Sequence, residues 1–381
     1  MASKIADLKE ENGLMSFTLQ GTDISYANAI RRTILSDIPI VVFKTTPYEK
    51  NKSKFIVNTT RLNNEILKQR LSCIPICIPD FENMDLNNYL LEVDVENNTD
   101  TVLIVTTKDF RVRNIKENKY LDESAIKKIF PPFTAPNGKE YYIDFVRLRP
   151  KLSDEIPGEK IKFTCEFSVG TAREDSMFNI TGTCSYGCTP DEETMLQQLE
   201  IRKQKWKDDE GMTEDEIKFQ AKNWKLLEGL RYVIKNSFNF VLSSVGIYEN
   251  DEIMIKACNI LSTRLDMLKN TIQEDKLEIK PAISTMENCY DITLENEDYT
   301  IGNILNYELY SVFYTELNKL AYVGFKKLHP HDTDSLLRVT LTDNTKGLSE
   351  LKIMLIASIE TAIKTLLKIR GGFDGTRQEE K

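Results

Sequence analysis

Shifted by 275 residues without a gap, one stretch of the chain lies on another: Thr18-Leu19 on Thr293-Leu294, Asp23 on Asp298, Ser25 on Thr300, Asn28 on Asn303 and Ile30 on Leu305. Any fold for this chain therefore has to accommodate two versions of one unit. In each copy a short apolar run of alternating character, residues 15–19 and 290–294, precedes an acidic turn and then a stretch with helical spacing. Both copies read strand, turn, helix. Ser25 and Thr300 stand where a helix N-cap is expected, with a hydroxyl for the free amides of the first turn. In the first helix Ala27, Ile30, Ile34 and Ile38 share one face, which leaves Asn28, Arg31, Arg32 and Leu35 on another, and Pro39 ends it. An Arg-Arg pair on a helix ordinarily marks a solvated face. The repeat argues for more.

The 381 residues suffice for roughly two or three domains with cores of their own. A formal charge of −9 argues against a broad basic surface for gripping nucleic acid. The first ten residues have no apolar core of signal-peptide length, and no later run approaches the ~18 apolar residues of a membrane span, so the expectation is a protein of the cytosol or nucleus with no membrane partner. Seven cysteines, an odd number spread along the chain, do not make a disulfide framework.

Beyond Lys44 the chain turns polar and Asn-rich, with its own turns and its own apolar strands near 90–95 and 102–106, and so reads as an inserted domain over 45–159. Ile161, Phe163, Cys165, Phe167 and Val169 alternate as one strand of the first unit. Residues 190–223 carry charge of both signs and few apolar side chains, the pattern of an exposed helical excursion. Phe238, Phe240 and Leu242 form a further alternating strand, followed by an amphipathic helix through Ile253, Ile260, Leu265, Leu268 and Ile272. Residues 273–281 read as a linker. The second copy, 282–370, repeats the order and closes on a helix with Leu351, Leu355, Ile359 and Leu366 on one side, and 371–381 is a tail. Small units with two such helices leave apolar stripe uncovered. The nearest cover is the other copy, so these residues are the expected interface between the two units.

Cys73 with Cys77, and Cys184 with Cys188, fall within zinc-ligand spacing. Ile74-Pro75-Ile76 favours extended chain, which at ~3.3 Å per residue puts the first pair ~13 Å apart, too far for one zinc. The second pair encloses Gly187 and could turn, yet supplies two ligands only. Buried or partly buried thiols are the expectation, and no metal or cofactor. His329 and His331 flank a proline in what reads as a surface loop. No phosphate-binding glycine loop, serine elbow or acidic metal triad occurs, and no catalytic residue is identified.

The run 26–39, Tyr-Ala-Asn-Ala-Ile-Arg-Arg-Thr-Ile-Leu-Ser-Asp-Ile-Pro, resembles the opening helix of the RNA polymerase alpha-type assembly subunits: bacterial alpha, the archaeal D-type protein and the third-largest subunit of eukaryotic polymerase II. Glu65 with Arg70-Leu71 and Ile74-Pro75 is similar to the element at the start of their inserted domain. Gly170-Thr171-Ala172-Arg173-Glu174 is similar to the loop where the chain returns to the dimerisation domain. The second copy, with Asp298, Thr300, Gly302, Asn303 and Leu305, then Val323-Gly324-Phe325-Lys326 and His329-Pro330-His331, resembles the smaller partner, the archaeal L-type protein and its eukaryotic eleventh-subunit counterpart.

This resemblance implies an α+β chain holding two alpha-like dimerisation modules, each a small antiparallel sheet on long helices. The first spans 1–44 and 160–272 around a mixed α/β insertion. It also implies a non-catalytic assembly platform of a DNA-directed RNA polymerase, a nucleotidyltransferase complex. The two modules would pair and seat the two largest subunits through Asn28, Arg31, Arg32 and Leu35, with small polymerase subunits as neighbours and DNA and RNA met only through the complex. A fusion of the two modules resembles the polymerase of large nucleocytoplasmic DNA viruses, which adds the virion and the cytoplasmic viral factory as locations. The inserted domain lacks the four-cysteine cluster of many relatives, so no zinc or iron–sulfur centre is expected there. The rival from another class is a free-standing metal, redox or regulatory protein that uses the cysteine pairs.

Overall fold

The computed structural model describes residues 3–151, 153, 155–343 and 347–374. Residues 375–381 of the expected tail, and the first two residues of the first module, lie outside them. The chain is mixed α+β, with several small antiparallel sheets. Among the described residues its α-helices are α1 (Ile24–Ser36), α2 (Asn64–Ser72), α3 (Glu123–Ile129), α4 (Glu192–Asp208), α5 (Glu214–Leu226), α6 (Asn250–Gln273), α7 (Tyr299–Glu308) and α8 (Leu348–Gly371). None of these is long and apolar enough to cross a membrane. The chain divides into two compact units, one of 1–34, 183–243 and 250–381, the other of 35–182 and 244–249.

The first unit holds both copies of the repeat. Its first sheet runs in the order Lys4–Glu11, Leu14–Gln20, Val233–Ser244, Thr181–Pro190. Phe17 stands opposite Phe240, Leu19 opposite Phe238 and Met15 opposite Leu242, so the alternating apolar residues of both strands share one buried face. The Phe17 and Phe240 rings stack at 5.0 Å, and Phe373 meets Phe17 edge-on at 5.1 Å. Phe373 is fully buried, so the segment just beyond α8, which the sequence assigns to a tail, is part of the core up to that ring. The second sheet has the order Ile279–Pro281, Cys289–Leu294, Ser335–Leu341, Leu320–Lys326. The expected linker thus ends in an edge strand, with Ile279 paired to Ile292. Against this sheet α7 lies close: a Cβ at Gly302 would stand 2.0 Å from the Phe325 ring.

The helix starts correct the sequence reading in one detail. Asp23 Oδ1 accepts from the Ser25 amide at 2.8 Å, and Asp298 Oδ1 from the Thr300 amide at 2.8 Å. The carboxylate two residues earlier caps each helix, and it adds negative charge at the positive end of the helix dipole. Helix α1 ends at Ser36, short of the expected stop at Pro39: residues before a proline disfavour helical backbone, and Ile38 is buried beyond the helix. The stretch read as a bare excursion is a helical hairpin, α4 and α5, with a small core of Leu199, Trp206, Ala221 and Trp224. It holds both tryptophans of the chain.

In the second unit a five-stranded sheet has the order Ser53–Asn58, Lys160–Glu166, Tyr89–Glu96, Arg111–Asn114, Lys119–Tyr120. Lys160–Glu166 pairs on both sides within it, and Ser168–Gly170 pairs with Ile40–Val42. The strand expected in the first module is therefore part of this unit, which extends past the boundaries 45 and 159 at both ends. Arg70 of α2 donates Nε to the Phe145 carbonyl at 2.7 Å and Nη2 to that of Asp144 at 2.8 Å. Arg173 grips Asp37 with both Nε, at 2.8 Å, and Nη2, at 3.0 Å. Both motif arginines work as staples of the fold.

Candidate docking surface

The two copies of the repeat meet through reciprocal contacts. Arg32 of α1 donates Nη2 to Asp298 Oδ2 at 2.7 Å and Nε to Thr300 Oγ1 at 2.9 Å. Under the 275-residue shift, Arg32 corresponds to Tyr307 and Asp298 to Asp23. Those two are also neighbours: burial first, and then the Asp23 carboxylate, push the Tyr307 phenol above its ordinary value. The Tyr26 hydroxyl donates to Glu308, and the Tyr26 ring meets that of Tyr307 edge-on at 6.3 Å. Their shifted counterparts, Ile301 and Thr33, are both fully buried. Arg32 with Asp298, and Tyr307 with Asp23, thus occupy matching positions in the two copies of the repeat.

The long helices add an antiparallel seam. Arg370 of α8 donates to Asn259 of α6 at 3.0 Å, Lys269 of α6 pairs with Glu360 at 2.6 Å, and Lys352 pairs with Asp275 just past α6 at 2.5 Å. Ile253, Leu265, Leu351, Leu355, Ile359 and Leu366 are fully buried, while Ile260 and Leu268 are half-buried. Arg264 of α6 forms a forked ion pair with Glu297, in the turn before α7. On the outer side an open groove of ≈ 360 Å³ runs between the helix starts, lined by Asp23, Ser25, Asn28, Asn303, Asn306 and Tyr310 among others. Ser25 Oγ and Asn306 Oδ1 are buried and have no hydrogen-bond partner among the described residues.

The family model described as RNA polymerase Rpb3/Rpb11 dimerisation domain matches residues 16–265. The chain belongs to that family. It is 30% identical over 97 residues to DNA-directed RNA polymerase subunit Rpo3 of Pyrococcus horikoshii, which covers 24% of this chain and 35% of the relative. To subunit RPAC1 of DNA-directed RNA polymerases I and III of Saccharomyces cerevisiae it is 26% identical over 305 residues, 69% of this chain and 84% of that one. To subunit rpb3 of RNA polymerase II of Dictyostelium discoideum it is 25% identical over 189 residues, 48% and 57%. The chain spans about a third of the length of the archaeal relative.

Within this Rpb3/Rpb11-family chain the residues singled out by the Arg-Arg helix separate. Asn28 and Arg31 stay together: Asn28 Oδ1 accepts from Arg31 Nε at 3.2 Å and Nη2 at 2.9 Å. Both are half-buried, as is Leu35 near the end of α1. Arg32 is turned to the second copy instead, a partner 266 residues away that no local pattern announces. Loss of this partly exposed pair and its hydrogen bonds is worth about 1–2 kcal/mol, so Arg32→Ala is expected to lower the thermal midpoint by several degrees. An unchanged midpoint in a thermal melt would return Arg32 to the solvated face.

The cysteines do not converge. Cys184 and Cys188 lie in one continuous strand, Thr181–Pro190, so Gly187 makes no turn and the two sit ~13 Å apart. Burial pushes the Cys184 and Cys258 thiols up to about 12, well out of the range of a reactive thiolate. Among the described residues no group of three His, Cys, Asp or Glu side chains is placed to hold a metal ion. His329 and His331 lie in an exposed turn, where the His331 amide donates to His329 Nδ1 at 3.1 Å.

Glu308 introduces a pH dependence at the seam. Its carboxyl is buried, which raises its pKa; the hydrogen bond from Tyr26 opposes this and the nearby Asp23 adds to it. With the folded value above the unfolded one, the folded state keeps a proton that the unfolded chain has lost. The stabilisation is complete below the ordinary glutamate range and is lost as pH rises through the raised value. Glu308→Gln, which still accepts from Tyr26, is expected to flatten the thermal midpoint between pH 4.5 and 7. A variant with the parent's slope would show that Glu308 does not carry it.

Proposed function

We propose that this chain is a non-catalytic assembly platform of a multisubunit DNA-directed RNA polymerase. Its two copies pair as pseudo-subunits, and the surface around the helix starts seats the two largest, catalytic subunits. The observation that supports this most is the reciprocal set Arg32 with Asp298 and Asp23 with Tyr307, because it joins two family-like units into one face without a second chain. The modules are then 1–44 with 160–272, and 282–370, with the inserted domain 45–159 falling within the first in sequence.

Asn28, Arg31 and Leu35 are the residues proposed to meet the large subunits. Asn28 holds the Arg31 guanidinium by two of its donors and leaves others for a carboxylate or carbonyl, so less side-chain entropy is lost on docking. Small polymerase subunits are further neighbours, and nucleic acid is met through the complex. The joining of both copies in one chain favours the polymerase of a large nucleocytoplasmic DNA virus, working in virion and cytoplasmic factory.

Asn28→Ala with Arg31→Ala is expected to leave the thermal midpoint of the isolated chain nearly unchanged. Recovery of the large subunits with the tagged chain should fall about thirtyfold, the size of a desolvated interface arginine. Full recovery in that pull-down would contradict the assignment.

A further inference from the structure

The helical hairpin carries a surface that the paired modules do not use. Its inner side is closed by Trp206, Ala221 and Trp224, yet the outer side of α5 exposes Phe219 at 69% and Leu226 at 71%, continued past the helix end by Leu227 at 62% and Leu230 at 63%. At 3.6 residues per turn Phe219 and Leu226 share one stripe, opposite Trp224, and Lys218, Lys222 and Lys225 form its adjoining edge. Lys218 pairs with Asp215 at 3.2 Å, while Lys222 and Lys225 form no ion pair among the described residues. A run of four large apolar side chains, each more than half exposed, marks an interaction site rather than scatter.

We propose that the outer face of α5, from Phe219 to Leu230, docks an acidic amphipathic segment of a partner protein. Charge decides among occupants. The turn at the other end of the same hairpin holds Asp208, Asp209, Glu210, Glu214 and Asp215, all exposed, and the chain as a whole carries −9. Such a surface repels a membrane of anionic lipid or a nucleic acid at long range, whereas a peptide with a few carboxylates beside its apolar residues meets Lys222 and Lys225, with Glu228 the one acidic residue between Phe219 and Leu230. A second copy packed antiparallel would set lysine edge against lysine edge. A helix laid into this stripe with its own acidic edge satisfies both the apolar and the charged groups. This assignment stands apart from the polymerase reading.

The test uses the purified full-length chain and two labelled synthetic helical peptides with the same leucine stripe, one flanked by glutamates and one by lysines. The glutamate peptide is expected to bind and the lysine peptide not. Leu226→Asp with Leu230→Asp should weaken binding about thirtyfold. Lys222→Glu with Lys225→Glu, which alters only solvent-facing side-chain ends and so keeps the fold, should reverse the preference between the peptides. Equal binding of both peptides, or an unreversed preference, would overturn the proposal. So would tighter binding to phosphatidylserine vesicles or to single-stranded DNA, and so would a concentration-dependent dimer abolished by the leucine substitutions.

Discussion

Leu265→Asp is expected to leave the chain without a cooperative thermal transition at 37 °C and prone to aggregation. The side chain is fully buried on α6, the helix that packs on α8, and a carboxylate there is cut off from water. Truncation of a buried leucine costs about 2–5 kcal/mol by lost contact and cavity, and an unpaired buried charge adds several more. A domain has only about 5–15 kcal/mol in hand. Leu355→Asp, the corresponding change on α8, should do the same, because each helix is the cover of the other. Leu265→Ala should keep the fold at a lower midpoint. A soluble Leu265→Asp variant that melts where the parent does would mean that α6 and α8 are separable.

Cutting the chain between Lys276 and Leu277 should yield two pieces that need one another. The break falls after Asp275, which pairs with Lys352, and before the edge strand Ile279–Pro281, so both sheets keep their strands. Each piece alone would expose one long apolar helix face, and pairing of this obligate kind buries more than about 2,000 Å². Co-expressed pieces are expected to copurify in equal amounts and to melt as one, while each alone is insoluble or lacks a sharp transition. Arg264→Ala in the joined pieces should weaken the association about thirtyfold or more, since it strands the half-buried Glu297. Pieces that are separately stable and indifferent to one another would refute the internal pairing.

How far the sequence could foretell this depends on the range of the interactions. The 275-residue repeat made both helix starts legible, because the strand–turn–helix pattern is local. The capping role went to Asp23 and Asp298 instead of the hydroxyls, a choice between residues two positions apart. The first strand, Lys4–Glu11, ends at Asn12-Gly13, a hairpin signal whose two residues have φ of 53° and 74°, but the apolar pattern before that turn is too weak to mark a strand. The core of the α4–α5 hairpin rests on widely spaced Leu199, Trp206, Ala221 and Trp224, sparse enough for charge to dominate the composition. Arg32 shows the limit most plainly: its helix face was legible, but its partner was not.

Native mass spectrometry of the polymerase assembled on the tagged chain tests the central claim most directly, because it counts copies. One copy of this chain with one each of the two largest subunits is the result expected of a platform that pairs within itself. Two copies of the chain for each pair of large subunits, or a chain that carries neither of them, would contradict it.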